Sequence, residues 1–198
     1  MVDAPAHLAY INRGDLFRSD RHPMTDKETL AVYAERAAEY RSKFSPNKNT
    51  HLEAFIAKLD PGAHVLDLGC GTGILAIAAV KQGANKVWAT DINDWSIQNS
   101  KENFELNDCH GIKLLCGQID ELDIPLQFDL VLANINRNVL LEEIPSYLSK
   151  MKSEATLLLS GFFEEDEHLI RGKAEECGLV VKQRDVRNNW CVLSCQLS

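Results

Sequence analysis

The stretch HVLDLGCGTGILAIAAV, residues 64–80, sets an apolar run, three glycines at alternate positions and a second apolar run end to end. Four consecutive apolar-rich positions, 65–68, suit a buried strand, and the run after Gly73 suits a buried helix. Glycine weakens both kinds of element, so three of them at the junction need a reason. One reason is a tight turn packed for its own sake. The other is that bare backbone N–H groups at a helix N-terminus must approach something negative or polar. A glycine loop alone leaves the two readings open.

Working outward, short apolar runs recur at 65–68, 87–89, 112–115, 128–133, 156–159, 179–181 and 190–197. Helical spacing fills 73–82, 94–106, 137–150 and 164–177, and no clear helix separates the third and fourth runs. Gly83 and Gly178 stand where helix C-caps belong. Alternating strand and helix predicts an α/β fold, a doubly wound parallel sheet with helices on both faces. The last two strands are separated by only DVRNN, residues 185–189. So short a link makes a hairpin, not a crossover, and the seventh strand is expected to be antiparallel.

Upstream, TDKETLAVYAERAAEYRSKF (25–44) places apolar residues at 30, 33, 37, 40 and 44, one helical stripe, with a capping pair at Thr25 and Glu28. Thr50 and Glu53 repeat that pair before a second helix, and Asp60-Pro61-Gly62 makes a turn. The expected organisation is an irregular arm over 1–24, a helical extension over 25–62 and the α/β domain over 63–198. Met24 stands directly before the first helix and is a candidate start, with 1–23 added upstream.

The 198 residues suit one domain, and a 45% hydrophobic content supports a real core. No apolar window approaches the ~18 residues of a membrane span. The first twenty residues carry no basic start followed by an apolar block, so no secretory signal is expected. Six cysteines show no CxxC pair; Cys70, Cys177 and Cys191 read as small buried thiols, and a reducing cytoplasm is the simplest compartment. Net charge is −8, and residues 1–66 hold nine acids and nine bases, so the excess lies beyond them. An acidic domain disfavours nucleic acid as a direct partner.

Two details sharpen the glycine loop. A dinucleotide fingerprint wants glycine at 74, where this chain has Ile74, which counts against a dehydrogenase. KVWATD then ends the second strand with Asp91, 24 positions after Asp67. An acid there is placed to accept hydrogen bonds from both hydroxyls of a ribose. Its plainer role is a cap for the next helix, a job open also to Asn93 or Asp94.

With VLDLGCGTG followed by ATDI, the chain resembles the class I methyltransferases that use S-adenosylmethionine. Seven strands with a reversed last strand is that family's architecture. The resemblance implies that Asp67 faces the methionine amino group and that Gly69, Cys70, Gly71 and Gly73 form the loop around the methionine and ribose. It implies that Asp91 holds the ribose and Ile92 packs on the adenine. The acid that often meets the adenine amino group has no clear counterpart in CGQID; Gln118 and Asp120 are the candidates.

The fourth strand ends FDLVLANINRN. Asn134 closes an apolar strand, where a polar side chain needs a partner. Its amide oxygen and a backbone carbonyl can accept two hydrogen bonds from an amine and aim the nitrogen lone pair, and methyl transfer is largely a matter of such alignment. Its plainer role is to cap the helix starting near Arg137.

From Gly69 onward, GCGTGILAIAAVKQGANKVWATDI, ANINRNVL, SGFFEED and RNNW are similar to the catalytic domain of the enzymes that methylate lysines and the N-terminal amine of a large-subunit ribosomal protein, the PrmA family. That resemblance implies that Asn134 and Ile135 lie at the methyl-transfer site. Residues 1–63 depart from it and lack the Gly-Thr-Gly-His segment expected before motif I. TLAVYAERAAEYRSKF resembles instead the leading helix of small-molecule methyltransferases, where an aromatic covers the cofactor: Tyr40 or Tyr33, unless both simply pack the helix. The chain thus also reads as a joining of two related enzymes, natural or engineered.

The remaining candidates are weaker. The histidines lack metal spacing, so no metal site is expected, and EEDEHL reads as a solvated helix face. Trp190 reads first as core and second as a pocket wall; Trp95 is placed near the adenine or packed on the surface. The expected activity is S-adenosylmethionine-dependent methyl transfer to nitrogen. A protein amine is the first acceptor and a small molecule the second; a non-catalytic cofactor-binding scaffold is the third reading. No membrane partner is expected.

Overall fold

A computed structural model describes residues 59–198 apart from Leu126. All of these belong to the compact unit Thr50–Ser198. The expected arm, both N-terminal helices, and Tyr33 and Tyr40 lie outside the described residues.

The described elements run β1 (His64–Leu68), α1 (Ile74–Lys81), β2 (Lys86–Asp91), α2 (Asp94–Leu106), β3 (Lys113–Cys116), β4 (Phe128–Asn134), α3 (Arg137–Tyr147), β5 (Met151–Phe163), α4 (Glu167–Glu176), β6 (Leu179–Arg187) and β7 (Trp190–Leu197). Single 3-10 turns follow α3 and precede α4, so the helices expected over 137–150 and 164–177 each include one tighter turn. Among the described residues no helix joins β3 to β4, as the pattern between them predicts.

The strands form one seven-stranded sheet in the order β3-β2-β1-β4-β5-β7-β6. β1 pairs in parallel with β2 and β4, β2 with β3, and β4 with β5, while β7 runs antiparallel to both β5 and β6. The chain therefore builds outward from β1 in one direction, then returns to β4 on its other side. That reversal opens a crevice at the carboxyl ends of β1 and β4, where such sheets bind ligands.

The link between β6 and β7 is shorter than expected. Strand β6 extends through Asp185–Arg187, leaving Asn188 and Asn189 as a two-residue turn with φ of 52° and 65°. Paired left-handed residues match the twist of the flanking strands, and asparagine tolerates that conformation better than most side chains.

Helix character follows burial. Helix α1 is apolar on every side and five of its eight residues are buried, because it fills the angle between the glycine loop and the sheet. Helix α2 turns Ser96, Ser100, Asn103 and Phe104 inward. On this face Ser100 and Asn103 bond backbone carbonyls of the glycine loop, and Phe104 packs against Gly73. Across the sheet, Leu140, Ile144 and Tyr147 of α3 and Ile170 and Ala174 of α4 join Leu66, Phe128, Val131, Leu157, Leu159 and Leu193 in the core. At the amino ends, Asp129 accepts from His64 N–H at 2.8 Å and from Lys152 Nζ at 2.8 and 2.9 Å, tying β1, β4 and β5 together far from the crevice. Among the described residues no helix is long and apolar enough to cross a membrane.

Candidate functional site

At the carboxyl end of β1 the chain needs to leave the sheet, turn and start α1. Gly69, Gly71 and Gly73 do this with φ of 58°, 58° and 76°. Three left-handed residues in five would strain any other side chain. The space beside each glycine differs. A Cβ on Gly73 would stand 2.4 Å from Cε1 of Phe104, so this glycine admits α2. A Cβ on Gly69 would meet the side chain of Ile135 at 2.9 Å. Beside Gly71 the nearest atom is a backbone oxygen at 4.0 Å. The two readings of the loop thus divide by residue: Gly73 serves packing, and Gly71 keeps an open cradle.

The loop is held from behind by α2. Ser100 Oγ donates to Gly71 O at 2.9 Å and Asn103 Nδ2 to Thr72 O at 2.8 Å. Cys70 faces the same helix, its Sγ 3.4 Å from Ser100 Oγ and buried. Burial first, and then the nearby Asp67 charge, hold its thiol well above the usual range. Cys70 therefore offers the site its backbone and not its side chain.

Asp67 is 1% exposed. Gly73, at the N-cap of α1, has no side chain to bond the helix's first N–H groups. Asp67 takes that part, its Oδ2 accepting from Ala76 N–H at 3.0 Å. Burial pushes its carboxyl up to about 7, the Ala76 hydrogen bond opposes this, and the charge of Asp91 adds to it. A buried carboxyl whose proton affinity is raised by burial and by a neighbouring acid favours a cation beside it.

Asp91 closes the crevice on the β2 side. Its Oδ2 accepts from Gly71 N–H at 2.9 Å and its Oδ1 from Asn93 N–H at 2.9 Å. The cap of α2 is Asn93, whose Oδ1 accepts from Trp95 N–H, so the plain capping role of Asp91 does not apply. The glycine loop and the acid are joined directly and face one place. Each Asp91 oxygen retains a further lone pair. Ile92 stands next to it, 69% exposed, an apolar side chain that the fold itself does not bury. Trp95 is 53% exposed.

On β3's end, Gly117 N–H donates to Asp91 O at 3.0 Å and brings the exposed Gln118 beside this cluster. Asp120, the other candidate, accepts from Ser146 Oγ of α3 at 2.8 Å. That bond leaves Gln118 as the residue of the two that no bond to α3 engages.

On the β4 side, Asn134 is exposed at the strand end and does not cap α3. The cap is Asn136, whose Oδ1 accepts from Asn138 and Val139 N–H groups. Asn134 Oδ1 accepts instead from Ser160 Oγ at 2.9 Å. Ile135 N–H donates to Ser160 O at 3.1 Å, and a Cβ on Gly161 would lie 2.5 Å from Ile135 O. Thus Ile135 rests its backbone on Gly161 and its side chain on Gly69, bridging the two halves of the crevice. Ser160 and Gly161 carry no role in the sequence reading. Their signal was a serine closing the apolar run TLLLSG, just as Asn134 closes FDLVLAN.

Trp190 is corrected: it is 50% exposed rather than core, stacked on Phe163 with ring centroids 4.4 Å apart. The strand register places the pair opposite each other, past Ser160 at the carboxyl end of β5. EEDEHL is more than a solvated face. Glu164 and Glu167 are bonded to Arg184, Glu167 also to Arg171, and Asp166 to Arg137.

Comparison with known proteins bears on this geometry. Residues 48–198 match the family described as ribosomal protein L11 methyltransferase (PrmA), so the likeness begins ahead of β1 and upstream of the glycine motif. The ribosomal protein L11 methyltransferase of Porphyromonas gingivalis is 50% identical over 133 residues, 67% of this chain and 46% of that protein. Its counterpart from Phocaeicola vulgatus is 44% identical over 132 residues, 67% of this chain and 47% of that protein. The crystal structure of a ribosomal protein L11 methylase from Lactobacillus delbrueckii subsp. bulgaricus superposes with a TM-score of 0.69 at 31% identity, covering 74% of this chain and 77% of that one. The chain spans about half the length of the curated relatives it matches. A seven-stranded sheet with a reversed last strand agrees with that match, and the chain belongs to the ribosomal protein L11 methyltransferase (PrmA) family.

Proposed function

We propose that the chain binds S-adenosylmethionine across the ends of β1, β2 and β4 and methylates an amine of a ribosomal protein. The observation that carries this reading is the bond from Gly71 N–H to Asp91 Oδ2, which makes loop and acid one site. The residues suit the ligand. Gly71 leaves room for a close approach, Asp67 and Asp91 supply negative charge for a molecule bearing an ammonium and a sulfonium, and exposed Ile92 offers an apolar face. Asp67 would hold the amino group, Asp91 the ribose hydroxyls, Ile92 the adenine and Gln118 its edge.

S-adenosylmethionine supplies the methyl as a sulfonium: the acceptor nitrogen forms the new N–C bond while the C–S bond breaks and its electron pair stays on sulfur. The chain's part is alignment. Asn134 Oδ1, with one lone pair on Ser160, offers the other to an acceptor N–H. That contact turns the nitrogen lone pair toward the crevice. The Phe163–Trp190 pair packs the acceptor's aliphatic stem, and the proton released leaves to water at this exposed edge.

The test is the full chain incubated with methyl-labelled S-adenosylmethionine and purified ribosomal protein L11, read by mass spectrometry. Methyl groups on lysine or N-terminal nitrogens, formed at a reduced but measurable rate by Asn134→Ala, are expected. Tight binding with label passing only to small amines would replace the protein acceptor by a small one; no transfer at all would leave a binding scaffold.

A further inference from the structure

Asn134 is exposed at its strand end, whereas Ser160, its partner across the parallel β4–β5 register, is 5% exposed. The terminal torsion of an asparagine is broad and two-fold, so nothing intrinsic decides whether oxygen or NH2 faces a substrate. Here the carboxamide is held from below with its oxygen on a serine hydroxyl. Ser160 Oγ donates to Asn134 Oδ1 at 2.9 Å, and Ser160 O holds Ile135 N–H at 3.1 Å, so one residue grips both the side chain and the backbone of the turn. Gly161, with φ of 91°, lets that turn lie against β5. Were the carboxamide to rotate, its NH2 would donate to an arriving amine and occupy the electron pair that must attack carbon.

We propose that Ser160 is a positioning residue: its buried hydroxyl sets the Asn134 carboxamide with oxygen toward the acceptor nitrogen. The proposal rests on the methyl-transfer reading above. The alternative is a bond that merely ties two strand ends.

Ser160→Ala and Ser160→Thr in the full chain separate the two. With ribosomal protein L11 as acceptor, Ser160→Ala lowers kcat about tenfold, within the range that misplacement of a reacting group costs. Acceptor KM and cofactor affinity stay within about twofold. Ser160→Thr, which keeps the hydroxyl, recovers most of kcat. In an Asn134→Ala background Ser160→Ala costs nothing further. An undiminished kcat, or a loss that persists in full without Asn134, overturns the proposal. A second arm needs no turnover: the Asn134 side-chain amide, seen by nitrogen-15 relaxation, is rigid in the native chain, loosened in Ser160→Ala and rigid again in Ser160→Thr. An amide equally rigid without the hydroxyl also overturns it. Should the native chain methylate no protein amine, the functional reading fails, and this second arm still decides the role of Ser160.

Discussion

Replacing Asp67 by Asn should stabilise the unliganded protein while weakening its ligand grip. Asn keeps an oxygen for Ala76 N–H, so the bond capping α1 survives, and only the buried charge is removed. The carboxyl is raised from 3.8 to about 7, chiefly by burial. A carboxyl raised in the folded state favours folding while protonated. That benefit is complete below about pH 4 and is lost as pH rises through 7. A gap of about three units at 1.36 kcal/mol each gives a penalty on the order of 4 kcal/mol at pH 8. Urea unfolding of both proteins without ligand, from pH 5 to 8, measures it. The Asn variant should already lead by about 1.5 kcal/mol at pH 5, because a carboxyl raised from 3.8 to about 7 has begun to lose its benefit there, and by about 4 kcal/mol at pH 8. Added S-adenosylmethionine should narrow the gap, because its ammonium stabilises the native carboxylate and finds no charge on Asn. A stability difference that is flat with pH, or that grows toward acid, would refute the claim that Asp67 is held against ionisation in the empty site.

Three further outcomes follow from other contacts. Asp91→Ala should weaken S-adenosylmethionine by about 1–3 kcal/mol in calorimetry, because it strands Gly71 N–H as well as the ligand's hydroxyls. Gly73→Ala should cost about 2–4 kcal/mol of stability, since its Cβ would lie 2.4 Å from Phe104 at a φ of 76°, and Phe104→Leu in the same chain should return part of that loss by making room. Asn189→Gly should raise stability by about 0.5 kcal/mol in thermal melts, relieving a left-handed φ of 65° in the β6–β7 turn.

Much of this architecture is legible in the residues because the signals are local. The period of apolar runs marks each strand, and a linker too short for a crossover forces β7 to reverse. Asp67, the glycines and Asp91 are legible because they end strands that the pattern already locates. What escapes is whatever depends on a neighbour distant in sequence. Gly73 is a glycine because of Phe104, and Gly161 because of Ile135. Neither reason appears until the sheet order brings those residues together. Asn134 reads as a cap for α3, but α3 begins at Arg137, as its spacing predicts, and the capping position falls to Asn136. Trp190 reads as core because aromatics in strands usually are, yet it opens β7 where β5 and β6 both end, half exposed beside Phe163.

The placement of β7 between β5 and β6 has a consequence for the growing polypeptide. As the ribosome extends the chain, β1 through β5 find their partners in succession, and the half carrying the loop and Asp91 closes early. Strand β6 emerges with no place on the sheet, because the strand that belongs beside β5 has not yet been made. Until residues 190–197 arrive, β5 presents an open hydrogen-bonding edge to the cell. A chain cut short at Arg187 would therefore present a nearly complete sheet with a sticky flank, a species for chaperones rather than a smaller folded domain.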